Sequence, residues 1–144
     1  MACQNHNQFT CSLSQTCRRT SEQFHIQYGS GSSSGHIDRD TVCFNSPNSG
    51  YCTDANQGFA CVTSEPGNTF TNAAFDGILG MAWDSIAQDH IAQPMDQIFE
   101  RPECAQKLFA FYLSRDGTTI NGGELTLCGI DESRYTVAFC CLNL

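Results

Sequence analysis

The chain holds nine aspartates. A pair of carboxylates that share one proton around a water is therefore arithmetically open to it. Nothing in their spacing shows that any two converge. Asp76 lies in the apolar run Phe75–Met81 and is open to burial, where its plainer role is to cap a backbone turn. Gly31-Ser32-Ser33-Ser34-Gly35 matches the letters of a nucleophile elbow. That device needs a strand before the serine and a helix after it, and here a strand follows, so the run reads as a hairpin tip. Its glycines also fail the dinucleotide-binding pattern, because Ser34 stands where the last glycine belongs. Cys3-x-x-His6 has metal-ligand spacing, but no second pair with matching spacing follows, so no metal is expected there. His6, His25, His36 and His90 are scattered and define no triad.

The surrounding sequence reads mostly as strands. Phe24-His25-Ile26-Gln27-Tyr28 alternates apolar and polar, the two-residue period of a half-buried strand. Gly29 to Gly35 reads as a flexible tip, and His36 to Phe44 as the returning strand of a long hairpin. Asn45 to Gln57 is a polar loop, Phe59 to Thr63 a further strand, and Glu65-Pro66-Gly67 a turn. Phe75 to Met81 carries two glycines and suits a short buried strand. Trp83 to Ala87 fits a single helical turn. Pro94 to Glu100 begins with proline at the first helical position and stops before Pro102, which predicts a helix. Leu108–Leu113 and Glu124–Cys128 are strands joined by a turn region.

A length of 144 residues suits one ordinary domain. Seven Lys and Arg stand against fifteen Asp and Glu, for a net charge of −8. This leaves no basic patch for nucleic acid or an anionic membrane surface. No apolar run is long enough to span a bilayer. The first six residues have neither a basic nor an apolar leader region, so they do not read as a signal peptide. Ten cysteines nevertheless point to an oxidising compartment, secreted or endosomal–lysosomal. Cys11 and Cys17 enclose five residues and can close a local disulfide loop. Cys43 and Cys61 lie on successive predicted strands on either side of the long loop, and are expected to face each other. Cys52, Cys104, Cys128, Cys140 and Cys141 are left without assigned partners.

Several stretches then fall into one order: Cys3-x-x-His6-x-x-Phe9, Tyr28-Gly29-Ser30-Gly31-Ser32, Asp40-Thr41-Val42, Glu65-Pro66-Gly67-x-x-Phe70 and Phe75-Asp76-Gly77-Ile78-Leu79-Gly80. They continue through Phe111-Tyr112-Leu113-Ser114-Arg115, Gly122-Gly123-Glu124-Leu125-x-Leu127-x-Gly129-x-Asp131 and Tyr135-Thr136. Over residues 3 to 136 the chain resembles the N-terminal lobe of pepsin-like aspartic proteases. The resemblance is to the cathepsin D branch, and most to its cysteine-rich nematode-type members. It implies a mostly β fold with one or two short helices: residues 1–136 form a partial N-terminal lobe of a bilobal protease, and 137–144 a divergent tail.

In that family each lobe supplies one Asp from an Asp-Thr/Ser-Gly motif, and the two activate a water that attacks a peptide carbonyl. No cofactor or metal is implied. This chain contains neither motif; the nearest dipeptides are Asp40-Thr41, followed by Val42, and Asp84-Ser85, followed by Ile86. No catalytic residue is therefore carried over, and the chain alone is expected to be inactive. The resemblance does carry over a substrate cleft. Tyr28, Gly29 and Ser30 match the flap that closes over an extended substrate, as a Gly/Ser tip is able to do. Phe70, Phe75 and Ile78 match apolar subsite walls, which favour bulky hydrophobic side chains beside the scissile bond. For Phe75 and Ile78 the plainer alternative is core packing.

The resemblance also implies that Cys3 lacks its partner, which would stand upstream. The chain reads as a fragment of an aspartic endopeptidase from a truncated or mis-spliced gene model, any signal and propeptide lying upstream. Its partners are a peptide or protein substrate and the remainder of its own polypeptide, including the C-terminal lobe. Without that remainder, a poorly soluble, partly folded chain is expected. The alternative is a non-catalytic, secreted peptide- or protein-binding module built on the same fold.

Overall fold

A computed structural model describes residues 5–29, 31–65, 70–115, 117–118 and 120–136. The fold is mostly β, as expected. The chain divides into two compact units, Met1–Ile98 and Phe99–Leu144.

The first unit is built on a three-stranded antiparallel sheet in the order β1-β2-β3: β1 spans Arg18–Tyr28, β2 Gly31–Asp40 and β3 Gln57–Ser64. The alternating Phe24–Tyr28 segment lies in β1, but that strand starts earlier, at Arg18, and bulges between Arg19 and Gln23. The Gly/Ser run is not a loose tip. Tyr28 pairs with Gly31, so the connection is confined to positions 29 and 30, and residues 31–35 belong to the central strand. Composition marks those residues as turn formers, but β1 and β3 flank β2 on both sides and satisfy its backbone. Gly35 serves this arrangement directly. A Cβ there would lie 2.1 Å from the Cys61 carbonyl oxygen, at the point where the β2–β3 register shifts.

Ile37 and Asp38 are both buried, so both faces of β2 are covered at mid-strand. On β3, the buried Gln57 donates from Nε2 to the carbonyls of Gly58 (2.9 Å) and Ala92 (2.8 Å), and its Oε1 accepts from Gln97 (2.9 Å). Burial without these partners would be costly. The amide thus ties the sheet to the predicted helix, which forms as α1 over Pro94–Phe99 with Met95 and Ile98 buried. Trp83–Ala87 does form a single turn, of 3₁₀ type, at Asp84–Ile86.

Two expectations are corrected. Phe75–Met81 is not a buried strand: it has no regular structure, and Phe75, Ile78 and Leu79 are exposed. Among the described residues no strand pairs with it, and an apolar run without a ladder partner has nothing to hold it extended. Cys43 does not join Cys61. The polar loop folds on itself, with Phe44 N–H donating to the Tyr51 carbonyl (2.9 Å), and so sets Cys43 opposite Cys52. Those two cysteines form the disulfide, and Cys61 is a free thiol facing His36 across the β2–β3 ladder. Cys11 and Cys17 are disulfide-linked. Cys3, Ser30, Pro66, Gly67, Cys140, Cys141 and the 137–144 tail lie outside the described residues.

The second unit centres on β4, Phe109–Leu113, paired antiparallel with β5, Gly123–Leu127. Arg134 stacks 4.7 Å from the Tyr112 ring centroid and pairs with Glu124 at 2.6 Å. A two-stranded sheet is marginal by itself, and here Cys104–Cys128 closes it across a sequence separation of 24. Chain-entropy arguments give a loop of that size about 3 kcal/mol of stabilisation. The double variant Cys104→Ser/Cys128→Ser should therefore lose hydrogen-exchange protection at the β4–β5 amides, with the β2–β3 amides unchanged. Equal loss in both sheets would show that the bond serves the whole chain.

Candidate substrate cavity

Phe24 and Tyr28 of β1, Phe59 to Val62 of β3, the segment after Asn5 and the segment after Phe70 line an open cavity of about 410 Å³. Of the sequence-predicted site residues, Tyr28, Phe70, Phe75 and Ile78 all line it. Gly29 stands at the hairpin tip with open space where a side chain would be. Aromatic residues dominate the wall. Tyr28 meets Phe70 edge-to-face at 5.8 Å between centroids, and Phe9 meets Phe59 at 5.0 Å. Such pairs hold ring orientation beyond what burial alone does. Phe75 remains 49% and Ile78 61% exposed, so both present apolar surface to solvent rather than to a closed core.

Asp76 sits on the rim between these two residues. Its Oδ1 accepts the Asn7 backbone N–H at 3.0 Å and its Oδ2 the Asn7 side-chain amide at 2.7 Å, with His6 Nδ1 at 3.3 Å from Oδ1. The backbone cap is real, but its donor comes from a segment 69 residues away rather than from a local turn. Donation by the Asn7 side chain and then its backbone holds the Asp76 carboxyl below the usual aspartate range, with a further contribution from His6. A carboxylate stabilised in this way is the opposite of a proton-sharing dyad, in which one carboxyl is pushed up. His6 also places Nε2 3.1 Å from the Phe70 carbonyl oxygen. His6, Asn7 and Asp76 therefore position the segments that carry Phe70, Phe75 and Ile78. Sequence spacing hid this constellation, because its members stand far apart in the chain.

The two Asp-Thr/Ser dipeptides play structural parts. Burial would raise the carboxyl of Asp40, but hydrogen bonds from Ser14, Thr16 and the Thr41 backbone outweigh it and leave the group below its ordinary value. Asp84 opens an exposed 3₁₀ turn.

Tyr28, Phe70, Phe75 and Ile78, which belong to the fragments that carry the resemblance, thus lie around one cavity. A family profile described as "Eukaryotic aspartyl protease" covers residues 1–144. Aspartic protease 3 of Caenorhabditis elegans is 55% identical over 137 residues, which is 94% of this chain and 34% of that protein. Chymosin of Callithrix jacchus is 40% identical over 136 residues, or 94% of this chain and 34% of the relative. Cathepsin D of Gallus gallus is 38% identical over 144 residues, or 100% of this chain and 35% of the relative. The chain thus spans about a third of the length of the curated relatives it matches. With the profile running from end to end and the cavity built from the residues that carry the resemblance, the chain belongs to the eukaryotic aspartyl protease family.

Proposed function

We propose that this chain supplies the flap and part of the substrate cleft of an acid endopeptidase that cleaves peptide bonds between bulky hydrophobic residues. One observation carries the reading. Tyr28, at the base of a two-residue hairpin turn, shares a single cavity with Phe70, Phe75 and Ile78. In this role the backbone of Gly29 and Ser30 hydrogen-bonds an extended substrate, Tyr28 closes over it, and the three apolar residues wall the subsites. Three disulfides among the described residues fit an oxidising compartment, and with relatives named cathepsin D and chymosin they support a lysosomal or secreted location. The remainder of the same polypeptide would complete the cleft and supply both catalytic aspartates, the second of them from its C-terminal lobe.

Two measurements test this reading. Residues 1–144 carry no Asp-Thr-Gly or Asp-Ser-Gly, so the chain alone should release no fragments from denatured globin at any pH. Cleavage at acid pH that a statine-type inhibitor blocks would refute this. An extended peptide with paired bulky hydrophobic residues should perturb the NMR signals of Tyr28, Phe70, Phe75 and Ile78, and Tyr28→Ala should weaken its binding. Perturbations confined to other residues would remove the cleft assignment. Binding without dependence on Tyr28 would favour a peptide-binding module in which the hairpin is not a flap.

A further inference from the structure

We propose that His36, Asp38 and Cys61 form a Zn²⁺ site that bridges β2 and β3. His36 and Asp38 are two residues apart on β2 and so share a face, and Cys61 is the direct ladder partner of His36 on β3. One ligand atom from each lies within 4.8 Å of the others. His36 Nε2 is 3.5 Å from Asp38 Oδ1, and the Cys61 thiol donates to Asp38 Oδ2 at 3.5 Å. With Zn–N and Zn–O bonds near 2.0 Å and Zn–S near 2.3 Å, the edge of a tetrahedral site is roughly 3.3–3.6 Å. Each of the two contacts to the Asp38 carboxylate stands at that spacing, one on each oxygen, and the three ligand atoms need about 1 Å of adjustment at most to share one ion.

A second observation points to a ligand. Asp38 is 2% exposed, yet its Oδ1 has no hydrogen-bond partner. A buried carboxylate oxygen faced only by an imidazole nitrogen at 3.5 Å is under-satisfied, and a cation between the two satisfies it. The donor set also balances charge. One carboxylate, one thiolate and one neutral imidazole cancel the two positive charges of the ion, and the thiol proton leaves to solvent as the Zn–S bond forms. The mixed nitrogen, oxygen and sulfur set suits zinc rather than calcium or magnesium. Cys61 lines the cavity described above and the His36 side chain is one-third exposed, so two of the three ligands are reachable from solvent. Arg19, opposite Asp38 on β1, is exposed, and it is the cationic group whose charge reaches Cys61. The second candidate group among the described residues, Cys11 with Cys17 and Asp38, is ruled out because its cysteines are spent in a disulfide.

The test uses the full 144-residue chain, folded under oxidising conditions and freed of metal. Competition against a chromophoric chelator should show one equivalent of Zn²⁺ held at micromolar free metal or below. His36→Gln and Cys61→Ser should each weaken it at least tenfold. Co²⁺ in place of Zn²⁺ should give a thiolate-to-metal charge-transfer band that Cys61→Ser abolishes. Should either variant fail to fold, the unmodified chain still decides. Zn²⁺ should slow alkylation of Cys61 at least tenfold, read by mass spectrometry of its peptide. Failure to hold Zn²⁺, undiminished binding in both variants, or unprotected alkylation of Cys61 would each overturn the proposal.

Discussion

Gly35→Ala should destabilise the three-stranded sheet by on the order of 3 kcal/mol, more than an ordinary glycine substitution. The added Cβ would meet the Cys61 carbonyl oxygen at 2.1 Å, its carbon at 2.9 Å and the Val62 Cα at 3.0 Å. All three atoms are backbone, so no side chain can swing away. Relief requires β3 to move off β2, which breaks the Gly35–Val62 and His36–Cys61 pairs, next to the Ser34–Gly35 step where the register already shifts. Gly29→Ala is the matched control, since nothing lies within 4 Å of its Cβ position. Urea unfolding followed by far-ultraviolet circular dichroism should show a large fall in midpoint for the first variant and a small change for the second. Equal midpoints would mean that β3 is free to shift at no cost, and that the β2–β3 register is not fixed.

Ile37→Ala should cost about 3–4 kcal/mol, within the range for deleting a buried isoleucine side chain. Ile37 is 1% exposed at the centre of the middle strand, and its Cγ2 lies with the Ile91 side chain around Gly58. Gly58 has no side chain with which to fill the space left behind, so the cavity persists. Ile37→Val removes one methylene and should cost about 1 kcal/mol. The same urea titration checks both values. A ratio near one between the two losses would show that the site collapses around the smaller residue.

How far the sequence revealed this architecture depended on whether a signal was local. The β1 alternation from Phe24 to Tyr28 and the proline-led start of α1 were legible because each is a property of neighbouring residues. The role of Gly31–Gly35 was not, since those residues form strand only through partners on two sides. The Cys43–Cys52 bond was missed for a related reason: a loop read as featureless makes its own small antiparallel bridge. For the cavity, the ordered fragments shared with the family supplied Tyr28, Phe70, Phe75 and Ile78. The tie of His6 and Asn7 to Asp76 required coordinates. One signal was present and unused. His36 and Asp38 stand two apart on a predicted strand, which alone sets them on one face.

The point where β3 stops gives the hairpin a mechanical character. β3 backs β2 as far as Ser34, opposite His25, so from His25 to Tyr28 the hairpin projects beyond the three-stranded sheet by three steps of about 3.4 Å, an arm of roughly 10 Å. A tilt of about 15° at the base of such an arm carries its tip through only about 3 Å. The base is braced by Thr20 Oγ1, which donates to the Ile37 carbonyl at 2.6 Å, and by the Arg39–Glu22 ion pair at 3.0 Å. The Cys11–Cys17 crosslink clamps the chain just before Arg18. The hairpin is thus a cantilever, whose compliance resides where it is mounted rather than where it touches its load. Its reach towards Tyr28 is set by β3, a strand whose pairing ends at Ser34, short of the turn.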